Sequence, residues 1–235
     1  MTLTMECCIV TQAFERVKAN VGDLGGDLRI ITKDLYAVAL SIAKNNFIAD
    51  EPLGLSVGLE WTPDFESFFV KTFDYGMSVI LLDRATGEPI GIRATRPMFK
   101  SEPMSTDGIT DENLLTWFRF YLGALKENNI QHVYKRYAVK EGIHFTGLRV
   151  DKKYRRRGFG FKLMKVAVQL VEELDIRPIV IQGEGTSNYA QRIYEKIGFE
   201  TFGKVKFKDF VEDGQVALKD TGEHKSMKVF VLEII

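Results

Sequence analysis

The sequence predicts a mixed α/β (α+β) fold, one central sheet with a strand–helix–strand unit at its middle and helices flanking it. Three observations predict this. A strand-like run over 143–150 precedes a long amphipathic helix that starts after Gly158, and a short, continuously apolar strand follows at 178–182, as buried parallel strands read. Upstream, apolar runs at 77–82 and 89–94 are joined by Asp83-Arg-Ala-Thr-Gly87-Glu, a β-hairpin pattern. Two further strand-like segments, 201–207 and 227–235, end the chain around a glycine-containing excursion. Strands, helices and a hairpin followed by strand–helix–strand–helix–strand–strand make a mixed sheet.

Element by element, residues 1–26 read as an N-terminal extension, a short extension or first strand closed by the glycine-rich Gly22–Gly26 turn, and 27–235 as the main domain. Asp27–Thr32 is strand-like, and Thr32 can cap a helix running to about Asn46. Along that helix Leu35, Val38, Ala39, Ile42 and Ala43 share one face. Pro52 pushes Glu51 away from helical angles, so this acid sits where a helix breaks. A second helix spans 63–73 and groups Phe65, Phe68, Phe69 and Phe73 on one side. Residues 97–110, with their prolines and Gly108, read as a surface connection. Asp111–Asn128 is a helix, and Val133–Ala138 is strand-like. After Gly158 the long helix reaches about Leu174, with Leu163, Val166, Ala167, Leu170 and Val171 inward. A last helix, 188–197, is closed by Gly198.

Composition narrows the function. At 235 residues with 45% hydrophobic content, the chain can bury one large core. Thirty-two basic and 32 acidic side chains cancel, so no bulk field draws nucleic acid or an anionic membrane, and neither is an expected partner. Any anion must be held by a local arrangement. The only cysteines, Cys7 and Cys8, are adjacent and make a poor disulfide framework, which suits a reducing, cytoplasmic setting. No signal-peptide-like run and no stretch of 18 apolar residues occurs. His132, His144 and His224 are scattered without metal-ligand spacing, so no metal is expected. Oligomeric state is not legible.

The densest chemical signal is Leu148-Arg-Val-Asp-Lys-Lys-Tyr-Arg155-Arg156-Arg157-Gly158-Phe159-Gly160, between a strand and the long helix. A helix N-terminus presents unpaired amides and partial positive charge. Glycines at 158 and 160 admit a diphosphate close to the backbone, and three arginines add charge. The segment is an anion cradle. It lacks the Gly-Lys-Ser/Thr ending of a Walker A loop and the third glycine of a dinucleotide fingerprint. An Arg-rich turn capping a helix is the alternative, as is a basic RNA patch, which would lack an aromatic platform here.

The Arg-x-x-Gly-x-Gly spacing after a strand resembles motif A of the GNAT acetyltransferases, whose loop amides grip the CoA pyrophosphate. Ser187-Asn-Tyr-Ala190-Gln-Arg-Ile-Tyr194-Glu-Lys-Ile-Gly198-Phe199 resembles motif B of the same superfamily. The two occur in order, separated by room for one helix and one strand. The flanks resemble the insect-type arylalkylamine N-acetyltransferases, through Asp50-Glu-Pro-Leu53, Asn129–Tyr134, Thr186–Tyr189 and His224. This likeness covers roughly residues 28–235. It implies a GNAT fold with a splayed parallel strand pair, acetyl-CoA as cosubstrate, and transfer of acetyl to a small primary amine in a ternary complex, since no cysteine lies near the motifs. Acetylation of polyamines or other alkylamines, acetylation of protein amines, and an inactive acyl-CoA-binding protein are the rival readings.

The resemblance also implies roles. Glu51 falls on the family's general base, which must take a proton from the ammonium before the amine can attack; otherwise it is a solvated loop acid. Tyr194 falls on the tyrosine that many of these enzymes place near the CoA sulfur, or packs in the core. Two serines proposed to assist catalysis in the insect subfamily fall on Thr186 and Ala190, so one hydroxyl survives. The loop residues Arg155, Arg156, Arg157, Gly158, Phe159 and Gly160 would hold CoA. Backbone amides at Leu148 and Val150 would hold the pantetheine arm and the acetyl carbonyl, where an aimed amide stabilises an oxyanion. Ser187 contacts CoA or caps the last helix. His224 lines the amine site or lies on the surface. The aromatic residues of 65–73 and 117–121 wall an aryl group or fill the core.

Overall fold

The computed structural model describes residues 7–101, 105–128, 131–212 and 214–235. The elements in chain order are helix α1 (Cys7–Asn20), strand β1 (Asp27–Ile30), helices α2 (Tyr36–Asp50), α3 (Pro52–Val57) and α4 (Pro63–Phe73), strands β2 (Val79–Leu82) and β3 (Pro89–Phe99), and helices α5 (Glu112–Glu127) and α6 (Gln131–Arg136). Then follow β4 (Glu141–Val150), α7 (Phe159–Glu173), β5 (Ile179–Gly185), α8 (Asn188–Ile197), β6 (Glu200–Lys206), the small hairpin β7 (Val211–Glu212) and β8 (Gln215–Val216), and β9 (Ser226–Ile234). Seven strands form the sheet in the order β1-β2-β3-β4-β5-β9-β6. Among the described residues only β4 and β5 run parallel, and α7 is the crossover between them. Among the described residues no helix is long and apolar enough to cross a membrane.

Local chemistry explains the helix boundaries. Thr62 accepts from Phe65 N and Pro63 opens α4; Asp111 accepts from Leu114 N at 2.7 Å to cap α5. Gly198, at φ 105°, lets the Tyr194 carbonyl be satisfied as α8 ends. Each face of the sheet has its own core. On one face Val10, Ala13, Phe14 and Val17 of α1 pack with Leu163, Val166, Ala167 and Leu170 of α7, and with Phe145 and Tyr194. On the other, Phe65, Phe69 and Phe73 of α4 pack with Leu114, Trp117 and Phe120 of α5 over Ile80 and Ile92.

Several sequence expectations shift. The segment read as an extension or first strand contains the helix α1, whose inward face is buried; residues 1–6 lie outside those described. Thr32 precedes a 3-10 turn without capping it through its side chain, and α2 runs on to Asp50. β3 continues through Pro97 to Phe99, so the surface connection starts later than residue 97. Residues 102–104 of that connection are not described. The expected strand at 133–138 is instead α6. Its valine and tyrosines suggested a strand, but Tyr137 N–H donates to Val133 O at 3.0 Å and Val133 is fully buried with Val139, Val180 and Val231. Six residues are too few for periodicity to separate helix from strand.

Candidate active site

The parallel pairing of β4 and β5 covers only Ile143–Phe145 opposite Ile181–Gly183. Beyond it, β4 follows β3 to the Gly91–Val150 pair, while β5 follows β9 to the Gly185–Lys228 pair. The sheet therefore opens at its centre. A register shift at Ala94/Thr95 leaves Thr146 as an extra residue on β4, bending the strand where the opening begins. Asp151 N–H donates to Ile90 O at 2.9 Å, which makes Gly91–Val150, and with it Arg93–Leu148, a pair that exchanges no ladder bonds. Leu148 and Val150 thus turn their own amides toward the gap. Their carbonyls are taken by the Arg149 and Arg155 guanidinium groups, at 2.7 and 3.0 Å. The amide hydrogens are the groups left to face a ligand.

At the mouth of the gap lies the 155–160 loop. Arg156 (φ 61°) and Gly158 (φ 81°) are both left-handed, which curls the backbone around a concavity. Gly158 is the N-cap of α7 and supplies no side-chain cap, so the first amides of the helix point outward unblocked. A Cβ built on Gly158 would meet nothing within 4 Å, so the space outside the loop is open. Arg156 and Arg157 are exposed, whereas Arg155 is tied to Val150 O and to Asp50 at 2.7 Å. Arg155 thereby fastens the loop to the end of α2. Phe159 buries its ring, so only its amide is available to a ligand. Gly160 approaches Ile193 of α8 so closely that an added Cβ would lie 3.1 Å from it.

Glu51 arrives from the opposite face of the sheet. It is the N-cap of α3, with extended angles before Pro52, and is 5% exposed rather than solvated. Its Oε2 accepts from Gly54 N at 2.6 Å and from Trp117 Nε1 at 3.0 Å. Its Oε1 is buried without a hydrogen-bond partner among the described residues. A buried acceptor left open is costly, so it marks a place where a ligand donor belongs. Burial pulls the Arg149 guanidinium down to about 10, while the nearby Glu51 carboxylate acts in the opposite direction.

Tyr194 enters the gap from beneath, off α8. It is 1% exposed, stacks on Phe230 at 4.7 Å, and its hydroxyl accepts from Arg93 at 3.2 Å. A Cβ on Gly183 would overlap that hydroxyl, which places the phenol at the last paired residue of β5, where the strands part. Burial raises the Tyr194 phenol above its usual value, and the Arg93 charge opposes it.

Residues 121–215 match the family model described as an acetyltransferase (GNAT) domain. Over those residues the chain is similar to the GNAT acetyltransferases. Arylalkylamine N-acetyltransferase 2 from Aedes aegypti superimposes with a TM-score of 0.79 at 20% identity, over 89% of this chain and 99% of that one. A Drosophila melanogaster polyamine N-acetyltransferase that forms N-acetylagmatine superimposes with a TM-score of 0.67 at 20% identity, covering 88% and 99%. In sequence, N-alpha-acetyltransferase 30 of Xenopus laevis is 42% identical over 52 residues. That segment is 22% of this chain and 19% of the relative, so the match spans about a fifth of its length. The fold is thus the GNAT fold, and these findings support an acyltransferase enzyme.

Several of the remaining expected residues sit at or against the start of α8. Ser187 accepts from Ala190 N at 3.2 Å, as a helix cap does. Thr186 lies between β5 and α8, partly buried, with no hydrogen bond from its hydroxyl among the described residues. His224 accepts from Asn188 N at 3.1 Å and packs edge-on to Tyr189, so it braces the helix start. Of the 129–134 segment, residues 129 and 130 lie outside those described, and His132 is exposed on α6. The aromatic residues of α4 and α5 pack on one another, as with Phe65 on Phe69 and Trp117 on Tyr121.

A cluster that the sequence did not single out lies beside Glu51. Tyr121, stacked on Trp117 at 5.2 Å, donates to Glu184 at 2.6 Å; His144 meets the same carboxylate oxygen at 2.8 Å; Gln182 donates to the other at 2.8 Å. Burial pushes the Glu184 carboxyl up, but His144 and the three bonds outweigh it and hold it below its usual value. Tyr121 is driven well above its usual value by burial and then by the Glu184 charge. Glu184 between two glycines at the end of an apolar strand was the available sequence signal, because a charged residue there is seldom buried unless partnered.

Proposed function

We propose that this protein is an acetyl-CoA-dependent N-acetyltransferase for a small primary amine, an arylalkylamine first. The observation that carries the reading is the β4–β5 gap, with an uncapped helix N-terminus at its mouth and, on its inner side, a buried carboxylate oxygen that has no partner among the described residues. Amides of Phe159 and Gly160 with Arg156 and Arg157 would hold the pyrophosphate, and Leu148 and Val150 amides the pantetheine arm. When bound, acetyl-CoA supplies an acetyl group activated as a thioester. Glu51 Oε1 would accept the ammonium proton, because Oε2 is already engaged by Gly54 and Trp117. Tyr194 would give its proton to the departing sulfur. Thr186, whose hydroxyl makes no hydrogen bond among the described residues, would contact either ligand. The neighbours' substrates support the amine class: one similar protein is named for arylalkylamines and another forms N-acetylagmatine. An amine carrying a second cation is the alternative, favoured by the second buried carboxylate, Glu184.

The test is a pH–rate profile of Glu51→Gln on one good substrate from a panel of arylalkylamines, polyamines and peptides. With acetyl-CoA affinity unchanged, kcat/KM should fall by about 10² to 10⁴ near neutral pH. Part of the activity should return at high pH, where the amine arrives deprotonated. A mere rise in amine KM would make Glu51 an ammonium-binding group instead, and an unchanged profile would place the base elsewhere. Acetyl-CoA binding with no turnover on any amine would leave only a binding protein.

A further inference from the structure

Arg93 is an anomaly in its strand. It follows Ile92 and precedes Ala94, both in the core of the α4–α5 face, so alternation sends its side chain into the α7–α8 face beneath Leu148. There it is 1% exposed, with its guanidinium 4.2 Å above the Phe145 ring. Among the described residues it forms no ion pair, and its Nε is buried without an acceptor. Its hydrogen bond is to the Tyr194 hydroxyl. The Glu184 charge acts on it, though no ion pair joins the two; a buried cation without a paired carboxylate destabilises a fold, and an apolar side chain of similar volume would fill the same space. The arrangement needs a reason beyond packing.

We infer that Arg93 is a positioning residue for Tyr194, orienting the phenol so that its proton points at the departing sulfur and leaving a cation beside the phenolate that remains. A guanidinium has donors and no acceptor, so the phenol oxygen must accept this bond and its own hydrogen must point elsewhere. The phenol oxygen lies against Gly183, the last β5 residue paired with β4, where the gap begins. When the thioester C–S bond breaks, its electron pair goes to sulfur, and sulfur takes the Tyr194 proton. The negative charge moves to the phenol oxygen, 3.2 Å from the Arg93 donor, and a proton from water restores the phenol. The inference rests on Tyr194 as the proton donor.

The experiment uses Arg93→Met, Arg93→Lys, Tyr194→Phe and the double variant Arg93→Met/Tyr194→Phe. Arg93→Met should lower kcat by about 10²-fold with the KM for acetyl-CoA nearly unchanged, as loss of a positioned acid does. It should melt no lower than the parent, because an unpaired buried charge has been replaced by an apolar side chain. The double variant should turn over no more slowly than Tyr194→Phe. In the protein without ligand, ring-labelled tyrosine NMR, assigned by subtraction with Tyr194→Phe, should show the Tyr194 phenol ionising at higher pH in Arg93→Met. In Arg93→Lys it should lie nearer to the parent. The alkaline limb of the rate profile should move up likewise. An equal further loss in the double variant, or an unmoved Tyr194 titration, overturns the role of Arg93 while leaving Tyr194 as donor. Normal turnover of Tyr194→Phe removes the donor itself, and the inference with it. Should Arg93→Met not fold, an Arg93→Lys variant with parental kcat and an unshifted phenol supports the charge, whereas parental kcat with a displaced phenol overturns it.

Discussion

At the mouth of the gap, around the start of α7, the polar groups are backbone amides and exposed guanidinium groups, whereas against α5 they are buried side chains that bond one another. The first wall is open to water and held by local geometry, two left-handed residues and one ion pair from Arg155 to Asp50. The second is a dry chain from Glu51 through Trp117 and Tyr121 to Glu184 and His144, drawn from four elements. Damage to the first should be felt chiefly in ligand affinity, and damage to the second chiefly in stability.

The largest effect should come from Gly158→Glu. It places a carboxylate where a diphosphate would lie, at a φ of 81° that costs a non-glycine residue about 1–2 kcal/mol. Calorimetry should find acetyl-CoA binding abolished in a protein that still folds. Unchanged affinity would break the assignment of this wall.

An intermediate effect belongs to Glu184→Gln. Disrupting its bonds to Tyr121 and His144 should cost about 1–3 kcal/mol of stability, measured by urea unfolding. The pH dependence follows from the lowered carboxyl. A group whose folded value lies below its unfolded value, about 4.3 for glutamate, stabilises the fold fully above that unfolded value. That stability is lost as pH falls through the lower folded value. The gap in stability between parent and variant should therefore be constant at pH 6 and close in strong acid. A gap that widened on acidification would contradict the charged state assigned to Glu184.

The smallest effect sharpens the contrast from the first wall's neighbour. Ser187→Ala should cost about 1 kcal/mol through the lost cap on Ala190, with kcat and both KM values unchanged. A raised acetyl-CoA KM would instead return Ser187 to the binding loop.

The same contrast explains what was legible. The anion loop is contiguous, and its glycine spacing reports backbone geometry that six residues fix among themselves. Boundaries of α4, α5, α7 and α8 were legible for the same reason, since caps and 3.6-residue periodicity are local. Glu51 and Tyr194 came only through resemblance, because a carboxylate before a proline or a helix tyrosine carries no chemistry alone. Arg93 and Glu184 left one faint trace each, a charge inside an apolar strand. The α6 segment was misread because its valine and tyrosines are strand formers in isolation, and burial against β5 and β9 overrode that preference.

The sequence by itself determined the strand–helix–strand centre, the glycine loop that opens α7, and the balanced charge that makes any anion site local. The tertiary structure decided that β4 and β5 part after Phe145 and Gly183. It also decided that Glu51 loses its solvent, that Tyr194 meets Arg93, and that His144, Tyr121 and Glu184 share one oxygen. The physical reason is range. Caps, turns and periodicity act within a few residues, whereas these buried polar groups also need partners that folding brings from 23 to 101 residues away.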